Sequence, residues 1–138
     1  MLPKNLRMTK KRDFEIVLKH GRWFKAEQLS LKLLKLSEIN KIIILKKDLD
    51  KVNKQLKIAV SVGIKYSKKA VERNKLRRQI FEAVQPLITK KLIEEGGYIL
   101  IVPNLPKTAI KNIKHIIPFA EISKEIKLLF IKSKLIND

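Results

Sequence analysis

The amino-acid sequence predicts an α/β fold, in which a small central mixed sheet carries packed helices as a two-layer sandwich. Helical and strand-like segments follow one another in the order α-β-β-α-β-α, without repeated βαβ units. The length of 138 residues and the hydrophobic fraction of 45% suit one domain with its own core. We therefore expect a single domain over residues 1–138, with flexible ends at 1–8 and 134–138.

The first helix is predicted over about residues 10–20. Thr9 is a residue type that caps helices, and Gly21 follows the segment as a stop signal. Phe14 and Leu18 lie one helical turn apart and belong to its apolar stripe. This stripe is expected to pack on the sheet.

Two strands are predicted next. The alternating run "QLSLKLLKL" (28–36) gives the first, and the β-branched run "KIAVSVGI" (57–64) gives the second. The charged stretch between them, 38–54, reads as an extended loop or a hairpin.

The second half of the chain supplies two helices and one strand. Residues 69–93 predict a helix that is broken near Pro86, and "GGYILIVP" (96–103) predicts a strand that begins at a glycine pair. A final helix is predicted over about 118–133, since Pro118 suits a first helical turn.

The charge of the chain limits its partners. Lys and Arg number 32 against 13 Asp and Glu, which gives a formal net charge of +19. So large an excess opposes compaction unless a polyanion relieves it, and the candidates are nucleic acid, an anionic membrane and an acidic protein. A membrane span is disfavoured, because no apolar run approaches the ~20 residues that it needs. Binding to an anionic membrane surface is disfavoured too, because the apolar stripe of the final helix is better used in the core. The absence of cysteine excludes disulfides and thiolate metal sites and suits a cytoplasmic protein.

The strongest motif is the basic segment "KKAVERNKLRR" (68–78). Six of its eleven residues are Lys or Arg, and Glu72 is its only acid. On a helix, four of its side chains fall in one sector, while Lys75 points elsewhere. The four are Arg73, Asn74, Arg77 and Arg78. Arginine forks hold phosphate oxygens in pairs, and a helix amino terminus favours anions, so this surface is expected to bind a polyanion.

This segment resembles a known family. "AVERNKLRRQI" (70–80), following the strand "KIAVSVGIKYSKK", is similar to the signature of the protein subunit of bacterial ribonuclease P. In that family an Arg-Asn-Arg segment continues into Lys/Arg-Arg; here Lys75 replaces the second Arg. The opening "LRMTKKRDFEIVLKHG" and the strand "GGYILIVP" also resemble the family, and the resemblance runs from Leu6 to about Phe130.

The resemblance implies a fold like that of ribosomal protein S5 domain 2, with an unusual left-handed crossover. It also implies a function, in which a catalytic RNA uses Mg ions to remove the 5′ leader from precursor tRNA. The chain would then be a subunit of an endoribonuclease whose catalytic centre lies in the RNA. Its partners would be the catalytic RNA and precursor tRNA, with no protein partner and with Mg held through the RNA.

The resemblance also implies two binding surfaces. Phe14 and Leu18 would line a cleft for the single-stranded leader, although both suit core packing equally well. Trp23 and Phe24 could stack on RNA bases, but such a pair more often anchors a loop on the core. The RNA-binding positions are Lys65, Lys68, Lys69, Arg73, Asn74, Lys75, Arg77 and Arg78.

The sequence supplies no protein catalyst of its own. His20 and His115 are far apart and show no metalloprotease spacing, and no glycine-rich phosphate loop is present. Asp48 and Asp50 form only a weak candidate for a metal site in a lysine-rich loop. The alternative is a non-catalytic RNA-binding or ribosomal-type protein of similar fold. Composition alone does not distinguish it from a subunit of a ribonucleoprotein enzyme.

Overall fold

The computed structural model describes residues 6–35, 56–104 and 118–135. Its strands are β1 (Arg22–Lys25), β2 (Leu29–Lys35), β3 (Leu56–Val60) and β4 (Gly97–Pro103). Its helices are α1 (Lys11–His20), α2 (Ala70–Val84), α3 (Lys90–Glu95) and α4 (Phe119–Lys132), with a 3-10 turn at Gln85–Leu87. The predicted loop or hairpin at 38–54 lies outside the described residues.

The four described strands form one mixed sheet in the order β1-β2-β4-β3. β2 pairs antiparallel with both β1 and β4, whereas β3 runs parallel to β4. The predicted α/β fold with a small central mixed sheet is therefore confirmed. The structure adds the edge strand β1, which the sequence did not predict because its four residues are too few for a recognisable alternation.

Helices α2 and α4 cover one face of the sheet. Alternate residues of the central strands point to this face and form the larger hydrophobic core with both helices. The strand residues concerned are Leu29, Leu31, Leu33, Leu56, Ile58, Val60, Ile99 and Ile101, and the helix residues include Leu76, Ile80, Ile122, Ile126 and Phe130.

Helix α1 packs on the opposite face. Its Ile16 and Val17 join the intervening strand residues in a second, smaller core. Those strand residues are Leu34, Ala59, Tyr98 and Leu100. Helices thus lie on both faces, and α1 adds a partial third layer to the predicted two-layer sandwich. Strand β1, at the edge of this face, extends beyond the smaller core.

The ends of α1 differ in part from the prediction. Lys10 stands at the N-cap and makes no side-chain capping bond, so the predicted Thr9 cap is wrong. Gly21 does end the helix, and its N–H donates to the Val17 carbonyl at 2.8 Å.

The predicted break near Pro86 is confirmed. Helix α2 ends at Val84, and Pro86 lies in the 3-10 turn that follows. Helix α3 then starts behind Thr89, whose hydroxyl accepts the Leu92 N–H at 3.2 Å. Two glycines with positive φ, Gly96 at 71° and Gly97 at 126°, turn the chain from α3 into β4.

The start of the described chain is packed, although residues 1–8 were expected to be flexible. Leu6 and Met8 are buried, and the Met8 N–H donates to the Ile58 carbonyl at 2.8 Å. In the other predicted flexible end, Leu135 packs against the larger core and its N–H donates to the Phe130 carbonyl at 2.9 Å. Residues 1–5 and 136–138 lie outside the described residues. None of the helices described has both the length and the apolar character needed to cross a membrane.

Candidate RNA-binding surface

The basic segment lies at one edge of the sheet. Because β3 and β4 are parallel, their carboxyl ends meet at the same edge, where the Ser61 N–H donates to the Ile101 carbonyl at 3.0 Å. From this edge the chain runs into α2. The connection carries Lys65, Lys68 and Lys69, and all three are exposed. The topology therefore places three predicted lysines beside the amino terminus of the basic helix.

A network of hydrogen bonds, here called the Ser67 clasp, fixes this connection to α2. The Ser67 hydroxyl donates to the Glu72 carboxylate at 2.6 Å and accepts the Lys69 N–H at 3.2 Å. The Arg73 guanidinium donates through Nη1 to the Ser67 carbonyl at 2.9 Å. Glu72, the only acid of the segment, thus holds the connection in place rather than merely balancing charge.

Tyr66 adjoins the Ser67 clasp. Its phenol is partly buried, and this burial raises the pKa of Tyr66 above its ordinary value of 10.0. The negative charge of Glu72 raises the same pKa further, as the smaller cause. Tyr66 is therefore an uncharged neighbour of the basic residues at neutral pH.

Helix α2 brings most of its predicted residues together. The Arg77 guanidinium donates through Nη1 to the Asn74 side-chain oxygen at 2.8 Å. Arg73 lies one turn before Arg77, and the exposed Arg78 lies one turn after Asn74. Lys75 is exposed and points away from Arg73 and Arg77, but it lies one turn before Arg78. The helix therefore brings Arg73, Asn74 and Arg77 together, and Arg78 and Lys75 continue the polar surface around it.

The two residues predicted for a leader cleft lie on the other side of the sheet, on α1. Phe14 is half-buried and packs against the smaller core, whereas Leu18 is 52% exposed. The Leu18 carbonyl accepts a hydrogen bond from the Lys32 ammonium on β2. Phe14 is thus partly a core residue, and Leu18 presents most of its side chain to solvent.

Beside α1, part of this sheet face is left uncovered. We call it the open sheet face and define it by Trp23, Lys25, Lys32 and Val102, with Leu18 at its border. The register places Trp23 opposite Lys32 and Lys25 opposite Ser30. In antiparallel strands, residues directly opposite each other point to the same face. An exposed aromatic side chain and two lysines therefore share this face with Leu18.

The pair Trp23 and Phe24 is divided between the two faces. Phe24 packs against the larger core, as favoured for such a pair, but Trp23 is 44% exposed on the open sheet face. Alternation along a strand is the signal that could have separated them. It was missed because β1 was not predicted as a strand.

Of the four residues considered for protein chemistry, the structure describes one. His20 lies in the last turn of α1, while His115, Asp48 and Asp50 fall outside the described residues. Within residues 6–35, 56–104 and 118–135, no three His, Cys, Asp or Glu side chains are grouped so as to hold a metal ion.

Comparisons with known proteins indicate the family of the chain. The family model for ribonuclease P matches residues 2–133. The ribonuclease P protein component of a Prochlorococcus marinus strain is 31% identical over 136 residues, which cover 99% of this chain and 98% of that protein. The protein of the same name from Rippkaea orientalis is 30% identical over 135 residues, which cover 98% and 91%.

Solved structures share the fold. The ribonuclease P protein of Staphylococcus aureus superposes with a TM-score of 0.68 at 19% identity, covering 96% of this chain and 98% of that one. The ribonuclease P protein of Thermotoga maritima gives a TM-score of 0.59 at 22% identity, with the same coverage of 96% and 98%. With the family match over nearly its whole length, the chain belongs to the bacterial ribonuclease P protein component family, and is thus a subunit of the ribonucleoprotein endoribonuclease that acts in 5′ maturation of precursor tRNA.

Proposed function

We propose that the chain binds the catalytic RNA of ribonuclease P through its basic edge and the 5′ leader of precursor tRNA on the opposite side of the sheet. The basic edge comprises Lys65, Lys68, Lys69, Arg73, Asn74, Lys75, Arg77 and Arg78. The leader would lie against Phe14 and Leu18. One observation carries the proposal: hydrogen bonds fix Arg73 to Ser67 and Arg77 to Asn74 on the first turns of α2, next to the exposed Arg78 and three exposed lysines.

The arginines are prepared for phosphate contacts. A guanidinium has five N–H donors in a planar fork. Arg73 directs one donor group to the Ser67 carbonyl, and Arg77 directs one to Asn74. These bonds hold the side chains in place and leave donors of the same groups for phosphate oxygens, so less conformational entropy is lost on binding.

The leader surface differs from the basic edge in its chemistry. Single-stranded RNA is bound by aromatic and apolar side chains under its bases, together with cations along its backbone. The half-buried Phe14 offers part of an aromatic ring, and the exposed Leu18 offers an apolar contact. Lys25 and Lys32 supply positive charge on the adjoining sheet face.

Magnesium enters this proposal through the RNA, whose phosphates would hold it. The protein would neutralise nearby phosphates and so reduce the magnesium that the RNA needs for substrate binding and cleavage. We place this activity in the cytoplasm, with the catalytic RNA and precursor tRNA as partners and no further protein.

The test is cleavage of precursor tRNA by a bacterial ribonuclease P RNA at low magnesium, with and without the chain. The wild-type chain should stimulate cleavage at the mature 5′ end. The double variant Arg73→Ala/Arg77→Ala should lose at least about tenfold in RNA affinity, because charge-assisted hydrogen bonds contribute about 1.5–3 kcal/mol each. The slope of log affinity against log salt should fall by about 1.5, for two lost phosphate contacts.

The control is Lys90→Ala/Lys91→Ala, which removes the same charge from exposed positions on α3, beyond the far end of α2. It should stimulate cleavage as the wild type does. Arg78→Ala, at an exposed position outside the Ser67 clasp, separates loss of RNA contact from loss of local structure. Salt-sensitive RNA binding without any stimulation would instead favour a general RNA-binding module.

A further inference from the structure

A small pocket opens between the end of α4 and the hairpin of β1 and β2, and we call it the α4 pocket. Its volume is about 160 Å³, many times the ~10–15 Å³ that one water molecule requires. Two apolar side chains lie at its base and four basic side chains surround it. They are Phe24 and Leu33, and Arg22, Lys35, Lys132 and Lys134. Among the described residues that line this pocket there is no acidic side chain.

Three elements bring the four cations together. Arg22 lies opposite Leu33 in the register of β1 and β2, and Lys35 follows Leu33 by two residues. All three side chains therefore point to the sheet face that α4 covers. At the end of α4, the Lys132 ammonium donates to the Lys25 carbonyl of β1 at 3.0 Å. This bond ties the end of the helix to the hairpin.

The backbone at Lys134 gives a second indication that the pocket has a role. Helix α4 ends in a Schellman motif, in which the Leu135 N–H donates to the Phe130 carbonyl at 2.9 Å and the Lys134 N–H donates to the Ile131 carbonyl at 3.0 Å. The motif needs a residue in the left-handed conformation, which is usually glycine. Lys134 adopts it with a φ of 61°, and in the described part of the chain it is the only residue other than glycine with a positive φ. A side chain costs stability at such a position, and strain of this kind is common at functional sites.

The dipole of α4 does not account for this arrangement. Cations at the carboxyl end of a helix are favourable, which suffices to explain Lys132 and Lys134. It does not explain Arg22 and Lys35, which belong to strands. Four like charges around one pocket repel one another, and an anion with several oxygens relieves that repulsion while accepting their hydrogen bonds.

The α4 pocket is separate from both surfaces of the proposed function. Lys35 pairs with Gly97 at the start of β4, whereas the basic edge lies at the carboxyl end of that strand. The seven residues of β4 separate these two ends by about 20 Å. The leader surface lies with α1 on the opposite face of the sheet. An anion in this pocket would therefore be held by residues to which neither surface assigns a role.

We propose that the α4 pocket is a phosphate-binding site, in which Arg22, Lys35, Lys132 and Lys134 donate to the phosphate oxygens. The phosphate belongs either to an RNA strand or to a small free oligophosphate, since both present the same oxygens to ammonium and guanidinium groups. The site does not depend on the proposed function, because it uses no residue of the basic edge or of α1.

The first experiment titrates the full chain with pyrophosphate at constant ionic strength and follows the backbone amides by nuclear magnetic resonance. The amide signals of Phe24, Lys35 and Lys134 should shift together and reach saturation. In Arg73→Ala/Arg77→Ala they should shift with the same affinity, because the two sites are far apart. Absence of a saturable shift at the three amides would overturn the inference.

The variant Lys134→Gly tests the side chain without harming the fold. It should weaken pyrophosphate binding at the three amides by about fivefold or more, because a charge-assisted hydrogen bond is lost. Its melting temperature should rise rather than fall, because glycine suits the left-handed position. Lys134→Arg keeps the charge and should bind within about twofold of the wild type. Equal binding by Lys134→Gly and the wild type would contradict the site.

Lys127→Ala is the matched control. Lys127 is exposed on α4 but does not line the pocket, so this variant removes the same charge from the same helix. It should leave the affinity for pyrophosphate unchanged. An equal loss in Lys127→Ala and Lys134→Gly would show an effect of net charge alone and would overturn the inference.

Affinity for a bacterial ribonuclease P RNA then identifies the source of the phosphate. If the pocket holds a phosphate of that RNA, the RNA should displace pyrophosphate from it. Lys134→Gly should then lower the slope of log affinity against log salt by about 0.7–0.9, for one lost contact. If the ligand is a free oligophosphate, Lys134→Gly should bind the RNA as Lys127→Ala does, and pyrophosphate should bind the assembled complex as it binds the free chain.

Discussion

Position 21 requires glycine because there is no space for a side chain, not because its backbone conformation needs glycine. Its φ of −72° is open to any residue. A Cβ there, however, would lie 2.5 Å from the Val17 carbonyl oxygen and 2.9 Å from the Lys32 side chain. The turn from α1 into β1 thus passes so close to β2 that a side chain does not fit. Gly63 makes a contrast, since a Cβ at that position meets nothing within 4 Å.

We expect Gly21→Ala to lower the free energy of unfolding by about 1–3 kcal/mol, the usual cost of overpacking. Gly63→Ala should change it by less than about 1 kcal/mol and in the stabilising direction, because it restricts only the unfolded chain. Urea unfolding of both variants measures this difference. Equal unfolding midpoints for the two variants would contradict the close approach at Gly21.

At the scale of elements, the junction between β3 and α2 depends on the Ser67 clasp. We expect Glu72→Gln to lower the pKa of Tyr66 but to leave it above 10.0, because burial is the larger cause of the shift. Ultraviolet titration of the phenolate measures this pKa, and Tyr66→Phe shows which of the two tyrosines is responsible. No change in Glu72→Gln would refute the electrostatic effect of Glu72, and a pKa below 10.0 in this variant would refute the effect of burial.

The same pKa has a consequence for stability. Because the folded state raises the pKa of Tyr66 above the unfolded value of 10.0, the contribution of this phenol is complete below pH 10. It is lost as the pH rises through the folded pKa. Tyr66→Phe should therefore remove part of the alkaline loss of stability.

Whether a helix or strand can be predicted from the sequence depends on its length and on which of its side chains are buried. Helix α2 and strand β4 are evident from their patterns, and Pro86 marks the break between α2 and α3. Strand β1 is not evident, because its four residues, three of them exposed and only Phe24 packed against the core, are too few to show a periodicity.

Some features of the candidate site could likewise be predicted from the sequence, and others could not. The arginine set could be predicted, since helical geometry alone brings Arg73, Asn74 and Arg77 together. The Ser67 clasp could not, because it joins an irregular connection to a helix through side-chain bonds. The cation–π contact between the Lys32 ammonium and the Trp23 ring could not be predicted either, because it depends on the pairing of β1 with β2.

At the scale of the whole molecule, folding must overcome a net charge of +19. We expect tripolyphosphate at millimolar concentration to raise the melting temperature relative to chloride of equal ionic strength, because an anion that binds the folded state stabilises it by mass action. Thermal unfolding followed by circular dichroism measures the shift. It should be smaller for Arg73→Ala/Arg77→Ala than for Lys90→Ala/Lys91→Ala. Equal melting temperatures in both salts would contradict the expectation.

The position of β4 in the sheet has a consequence for synthesis of the chain. β4 lies between β2 and β3 and pairs with both, yet it is the last strand of the described sequence. During synthesis, β2 and β3 therefore cannot be joined through β4 until residue 103 has left the ribosome. Such distant pairings also make a sheet slow to form. The basic helix α2 precedes β4 in the sequence, and so meets the RNA-rich surroundings of the ribosome before the sheet beneath it is complete.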